Sequence, residues 1–136
     1  VIGSDDHTKR LDTYVEALIN QESIYVNNLL SEISVVNANS AAKYLMLLMK
    51  STELGTINIA DSGTIRIKSL IEKIASLLSL QMIFSENGIN GGYNNYFSNT
   101  FDLNKMINAK IIPDNIDDYF ELFLNNLIKE KLTRIN

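Results

Sequence analysis

The sequence contains no cysteine, and this absence removes several kinds of chemistry at once. Without thiols the chain has no disulfide, no thiolate zinc site and no cysteine nucleophile. A serine nucleophile would have only His7 as its base, and no serine lies in a G-x-S-x-G pattern. The six glycines form neither G-x-G-x-x-G nor a phosphate loop that ends in Lys-Ser/Thr. The sequence therefore predicts no enzyme activity, no catalytic residue and no cofactor.

Positive charge is also scarce, since 12 Lys and Arg stand against 16 Asp and Glu and the formal net charge is −4. This balance counts against a dedicated nucleic-acid-binding protein, which usually carries a basic surplus. The longest apolar run, residues 74–84, is too short for a membrane span. We therefore expect a cytoplasmic protein without membrane contact. The length of 136 residues with 46% hydrophobic residues predicts one domain over residues 1–136.

The stretch of residues 55–84 organises the rest of the chain. Ile57 and Ile59, and then Ile65 and Ile67, alternate with other residues as in a half-buried strand. Residues 60–63 between the pairs read Ala-Asp-Ser-Gly, which is typical of a turn. The pattern predicts a β-hairpin near residues 56–68, followed by a helix from about residue 69.

Apolar residues at helical spacing predict further helices on both sides of this unit. We expect helices over about residues 8–33 and 41–54, a short helix after Asp102, and a last helix that starts at Pro113 and turns Leu124 inward. The predicted fold class is mainly α: a bundle of about five helices with one inserted β-hairpin or small sheet, which is α+β at the margin.

The Asn- and Gly-rich residues 85–100 carry the aromatic side chains Tyr93, Tyr96 and Phe97, and Phe101 follows directly. Aromatic residues on a mobile loop can stack on bases or anchor a protein partner. Equally, they can fold back on the core as a lid. Short strands that pair with the predicted hairpin are the alternative to a loop here.

One local excess of positive charge lies in residues 43–73. Its five basic residues, together with the three aromatic ones, are the candidates for nucleic-acid or partner binding. They are Lys43, Lys50, Arg66, Lys68 and Lys73. The alternative is an ordinary solvated face of mixed charge.

Two groups of acidic residues could be taken for a metal site and for an acid–base pair, and the sequence supports neither. Asp5, Asp6 and His7 are adjacent on a polar terminus, which is a poor way to enclose a metal, so no metal site is predicted. Asp117 and Glu121 are explained by the first turns of the last helix, where acidic residues complement the helix dipole.

The helix at residues 41–54, the hairpin at 56–68 and the helix at 69–84 together resemble the small subunit of archaeal CRISPR interference (Cascade) complexes. The resemblance implies a non-catalytic subunit or adaptor in antiviral defence that packs beside the RNA-bound backbone of a larger assembly. Its partners would be other protein subunits and single-stranded DNA or RNA within that complex. The acidic balance departs from what a strand-holding subunit should show.

The alternative function is a viral helical adaptor of the Bcl-2-like kind, which binds a host protein through a groove for a partner helix. The predicted hairpin and the absence of an Asn-Trp-Gly-Arg signature argue against it.

Overall fold

Helices and short strands alternate along the chain in the computed structural model, which describes residues 1–3, 6–94 and 97–135. The helices are α1 (Arg10–Ile19), α2 (Ala38–Leu48), α3 (Ile67–Leu78), α4 (Asn104–Asn108) and α5 (Phe120–Ile135), with a 3₁₀ turn at Ile116–Asp118. The strands are β1 (Ser23–Tyr25), β2 (Glu32–Ile33), β3 (Ile65–Arg66), β4 (Ile83–Phe84) and β5 (Ile89–Asn90). Within the described residues, no helix has the length and apolar content needed to cross a membrane.

The strands form two small sheets, and the larger one is parallel. β1 lies between β4 and β5, with Ser23 opposite Ile83 and Ile24 opposite Ile89. β2 and β3 pair antiparallel, with Ile33 opposite Ile65. Parallel strands joined through intervening helices make this an α/β fold. The prediction of a mainly α helical bundle is therefore wrong.

The predicted first helix over residues 8–33 is also wrong, because α1 ends at Ile19. Gln21 has a φ of 54°, a left-handed conformation in which an α-helix cannot continue. The chain then enters β1, where Ile24 is fully buried between the flanking strands. The apolar residues of this strand happen to continue the helical spacing, and three residues are too few to reveal a change of period.

The predicted β-hairpin does not form. Ile65 pairs with Ile33 in β2, Ile67 is the first residue of α3, and Ile57 and Ile59 lie in a segment without regular secondary structure, outside both sheets. Short strands near residues 85–100 were the predicted alternative to a loop, and β5 does lie there, but it pairs with β1. In both regions, the strands that form are those that pair with residues distant in the sequence.

Two clusters of buried side chains make up the core. The larger cluster joins α1, α3 and α5 to the parallel sheet, and Tyr14, Ile24, Ile74 and Leu124 are fully buried in it. The prediction that Leu124 faces inward is confirmed. The smaller cluster lies between α2 and α4. Its buried members are Val36, Ala41, Tyr44, Met106 and Ile111.

A buried lysine ties the two ends of the chain together. Lys131 of α5 is only 5% exposed, and its ammonium forms ion pairs with Asp12 and with Glu16, both on α1. Burial opposes the charge of Lys131, but the hydrogen bonds from its ammonium to both carboxylates raise its pKa overall. The ion pairs therefore keep the amine protonated where α1 and α5 meet.

Leu124→Ala should lower the free energy of unfolding by about 2–5 kcal/mol, because it leaves a cavity in the larger core cluster. Leu122→Ala, on the exposed side of the same helix, is the control and should change it by less than about 0.5 kcal/mol. Urea unfolding of the three proteins measures both values, and equal losses would contradict the assigned buried face.

Candidate functional site

The most buried carboxylate, Asp61, joins three separate parts of the chain. It is 1% exposed, and it accepts hydrogen bonds from the hydroxyls of Tyr44 and Tyr119, both at 2.6 Å, and from the backbone N–H of Asn37 at 2.9 Å. Its own N–H donates to the carbonyl of Val35 at 2.9 Å. The sequence Ala-Asp-Ser-Gly therefore marks a buried junction and not an exposed turn.

A second carboxylate, Asp114, extends this network to the surface. It accepts hydrogen bonds from Lys43 at 2.6 Å and from Ser40 at 3.1 Å, while its N–H donates to the hydroxyl of Tyr44 at 2.6 Å. The N–H of Ser62, the residue after Asp61, donates to the carbonyl of Asp114 at 2.8 Å. Residues 61–62 and 114 are thus held side by side.

The network is a structural brace and not an acid–base site. Burial, followed by the hydrogen bond to Asp61, raises the pKa of Tyr44 and Tyr119, so both phenols stay protonated and act as donors. The carboxylate they hold has almost no contact with solvent. No substrate atom can approach Asp61 without displacing one of its partners.

Asp61→Asn should lower the free energy of unfolding by about 1–3 kcal/mol, because the amide N–H₂ would face a backbone N–H that cannot become an acceptor. Asp118→Asn removes the same charge from an exposed residue and should change stability by less than about 0.5 kcal/mol. Thermal unfolding by circular dichroism tests the pair. Indistinguishable melting of the two variants would contradict the brace.

The pH dependence of stability should report Asp114. The hydrogen bond from Lys43 is the main reason that its pKa lies below the ordinary value. Its stabilising contribution is therefore present above the unfolded value of about 3.9 and is lost as pH falls through the lower folded value. Wild type should exceed Asp114→Asn in unfolding free energy near neutral pH, and the gap should close in strong acid. A pH-independent gap would contradict this assignment.

Two of the predicted basic residues line a cleft of about 380 Å³ between β3, α3 and the start of α5, named here the Arg66 cleft. Arg66 pairs with Glu32 at 2.8 Å, and Lys73 pairs with Glu121. Asp117 also lines it, so three carboxylates face two cations. The hydrogen bonds from Arg66 and from Thr64 lower the pKa of Glu32, which keeps it ionised. The cleft is poorly suited to an anionic ligand.

The other predicted basic residues do not come together either. Lys68 lies 3.7 Å from Glu72 on α3, and Lys43 is held by Asp114. Lys50 is exposed just after α2, beside residues 108–110. The described residues therefore present a surface of mixed charge where a basic face was predicted, and nucleic-acid binding stays a prediction.

The predicted aromatic residues separate into different environments. Tyr93 is buried and stacks on Tyr14, with ring centroids 6.2 Å apart and planes at 13°. Phe97 is 90% exposed, and Tyr96 lies outside the described residues. The sequence leaves two roles open for the aromatic residues of this loop, contact with a partner or packing on the core. The buried position of Tyr93 corresponds to packing on the core.

A second cleft, of about 190 Å³, is named here the Arg10 cleft. Its described lining residues are Val1, Ile2, Asp6, Thr8, Arg10, Ile33, Ser34, Val35, Tyr93, Asn99 and Phe101. The guanidinium of Arg10 lies 6.0 Å from the centre of the Tyr93 ring. Ser34 and Asn99 add a hydroxyl and an amide, and Phe101 adds a ring that is 42% exposed. Among the described residues that line it, Asp6 supplies a carboxylate.

Backbone hydrogen bonds hold the walls of the Arg10 cleft together. The N–H of Ser34 donates to the carbonyl of Asn99 at 2.8 Å, and the N–H of Asn99 donates to the carbonyl of Glu32 at 2.9 Å. The N–H of Phe101 donates to the Ser34 hydroxyl at 3.1 Å. An arginine, hydrogen-bonding side chains and an exposed ring are the groups that bind a phosphate and a planar base.

Sequence reasoning singled out Phe101 as an aromatic residue that could stack on a base, but it missed Arg10, Ser34 and Asn99 as site residues. Arg10 was placed inside a long helix, and the others lie in segments that carry no motif. Asp5 of the acidic terminus lies outside the described residues, and among those that are described no cluster of three metal-ligating side chains exists.

No protein-family model matches the chain, and no curated protein sequence matches it significantly. Solved structures do match. A UDP-N-acetylglucosamine 4-epimerase from Methanobrevibacter ruminantium M1, in complex with UDP-N-acetylmuramic acid, matches with a TM-score of 0.67 and 20% identity over 91% of this chain and 39% of that one. A UDP-glucose 4-epimerase from Thermotoga maritima, with UDP-glucose, has a TM-score of 0.65 and 10% identity over 93% and 40%.

A third match is MoeE5 in complex with UDP-glucuronic acid and NAD, with a TM-score of 0.67 and 11% identity over 89% of this chain and 41% of that one. At these identities the likeness shows a shared fold. The chain spans about two fifths of the length of each of these proteins.

The predicted function is wrong on this finding. The matched fold occurs in UDP-sugar 4-epimerases, so neither the CRISPR subunit in antiviral defence nor the Bcl-2-like adaptor describes this chain. The prediction that the chain is not an enzyme is contradicted by the same matches. The resemblance to the CRISPR small subunit itself is untested by these matches and stays a prediction.

Proposed function

We propose that this chain is part of an enzyme that acts on a nucleotide sugar, and that the Arg10 cleft receives that ligand. The observation that carries the proposal is the shared fold over 89–93% of the chain with proteins solved with UDP-sugars. Since the chain spans only about two fifths of those proteins, the complete activity requires further protein.

The Arg10 cleft suits a nucleotide better than the Arg66 cleft does. A nucleoside diphosphate group brings negative charge, hydroxyls and a flat base. Among the described residues, the Arg10 cleft offers it one arginine beside the carboxylate of Asp6, whereas the Arg66 cleft offers it two cations beside three carboxylates. Arginine binds phosphate oxygens in a bidentate manner, and a half-exposed Phe101 can stack on a base.

The described residues do not fit NAD, which was present with MoeE5. A dinucleotide site needs glycines that let phosphate approach the backbone. Here the glycines at positions 88 and 92 are needed because other parts of the protein backbone lie too close to them for a side chain. A Cβ on Gly88 would lie 2.7 Å from the backbone of Ile24, and one on Gly92 would collide with the backbone of Arg10.

Titration of the isotope-labelled chain with UDP-glucose, followed by two-dimensional NMR, tests the proposal. We expect amide shifts to change at Arg10, Ser34 and Phe101, and UDP alone should reproduce most of them, because the phosphates and the base supply the main contacts. Arg10→Gln should weaken binding about tenfold, the loss expected for one charge-assisted hydrogen bond.

Arg66→Gln and Lys50→Gln are the matched controls, since each removes one positive charge elsewhere, and both should bind as wild type does. Shifts confined to the Arg66 cleft, or no shifts at millimolar UDP-glucose, would overturn the assignment. The predicted cytoplasmic location and protein-subunit partners stay predictions.

A further inference from the structure

Tyr93 joins the segment after β5 to two side chains of α1. Its ring stacks on that of fully buried Tyr14, with the ring centroids 6.2 Å apart and the planes at 13°. The guanidinium carbon of Arg10 lies over the ring of Tyr93, 6.0 Å from its centre. An aromatic ring attracts a guanidinium that lies within about 6 Å of its centre. The ring therefore restricts where the charged end of Arg10 can lie.

The backbone beside Tyr93 is also in close contact with the start of α1. A Cβ on Gly92 would collide with the backbone of Arg10, the first residue of that helix. The N–H of Tyr93 donates to the hydroxyl of Tyr14 at 3.2 Å. Burial raises the pKa of Tyr14, so its hydroxyl stays neutral, and its oxygen accepts this hydrogen bond. Both the backbone and the side chain of Arg10 are thus placed by residues 92–93.

Hydrogen bonds to the end of β1 fix the position of this segment in turn. The N–H of Gly91 donates to the carbonyl of Tyr25, the last residue of β1, at 2.9 Å. The side-chain amide of Asn94 donates to the same carbonyl at 2.6 Å, and its oxygen accepts from the N–H of Asn27 at 3.0 Å. Tyr93 lies between these two anchored residues, so the parallel sheet sets the place of its ring.

We propose that Tyr93 is a positioning residue of the Arg10 cleft, which holds the Arg10 guanidinium in place for a phosphate group. The inference rests on the proposed function. Tyr93 is only 8% exposed, so it offers a ligand little surface and acts through Arg10. An arginine side chain loses rotamer freedom when it binds a ligand, and one that a ring already restrains loses less.

The Nε–Hε signal of Arg10 in the NMR spectrum reports this contact without any ligand. In wild type we expect a signal shifted by the ring, with nuclear Overhauser contacts to the ring protons of Tyr93. Tyr93→Phe keeps the ring and should keep the signal, whereas Tyr93→Leu should move it to the position of an unrestrained arginine. Phe97→Leu removes an exposed ring three to five residues further along the same Asn-rich stretch and is the matched control, which should leave the signal unchanged.

Titration with UDP-glucose tests whether the restraint serves the ligand. Tyr93→Leu should weaken binding about two- to fivefold, the loss expected for one cation–π contact, and Tyr93→Phe should restore the wild-type affinity. In a chain that already carries Arg10→Gln, Tyr93→Leu should cause no further loss, because the side chain through which it acts is gone. Circular dichroism shows that each variant is folded.

An Arg10 signal that is the same in wild type and in Tyr93→Leu would overturn the proposal, whatever the affinities. The absence of contacts between Arg10 and the ring protons in wild type would overturn it even if Tyr93→Leu does not fold. A full loss of affinity from Tyr93→Leu in the Arg10→Gln chain would also overturn it, since the ring would then contact the ligand itself.

The two proposals fail in different ways. If wild type binds no UDP-glucose while the Arg10 signal depends on the ring, the restraint of Arg10 stands and the ligand assignment alone is refuted. If wild type binds UDP-glucose and Tyr93→Leu binds it equally well, the positioning role alone is refuted.

Discussion

The segments around the smaller core cluster are held in place by hydrogen bonds to Asp61. A carboxylate removed from water is costly unless its oxygens are satisfied, and here two phenols and one backbone N–H satisfy them. These donors come from α2, from the residue before it and from the start of the C-terminal segment. One side chain therefore sets the relative position of three parts of the chain that are distant in sequence.

The positions of residues 57–60, of the turn at Gly63 and of the Arg66 cleft all depend on the hydrogen bonds that hold Asp61. Gly63 has a φ of 95°, and a Cβ there would lie 2.9 Å from Ile116, so only glycine allows the chain to turn so close to the 3₁₀ turn. The turn then delivers Ile65 to β2 and begins α3 at Ile67. The cleft between α3 and α5 is the space that this arrangement leaves.

The sequence predicts the features that repeat along one element. The helical period identifies α2, α3 and α5 and turns Leu124 inward, because an amphipathic helix needs only its own residues to be recognised. It does not predict β1, whose burial depends on β4 and β5 some sixty residues away. Nor does it distinguish buried Tyr93 from exposed Phe97, since both lie in the same Asn-rich stretch.

The candidate site was less predictable still, because isolated side chains carry no local signal. Arg10, Ser34 and Phe101 come together only through backbone bonds between residues 32–34 and 99–101. Asp61 was read as a turn residue because its neighbours are Ser and Gly, and composition alone does not report the tyrosines that surround it. Charge counts were misleading for the same reason, as Lys43, Arg66 and Lys73 each pair with a carboxylate from another element.

The buried ammonium between α1 and α5 also bears on how the molecule reaches its native state. Lys131 and Glu16 are 115 positions apart, so their contact closes a loop that contains most of the chain. Closing so long a loop costs entropy before any contact repays it, and folds dominated by such contacts form slowly. During synthesis α3 can pack on α1 before the chain is finished, but the larger core is complete only when α5 has left the ribosome, and until then the part of α1 that faces α5 stays uncovered.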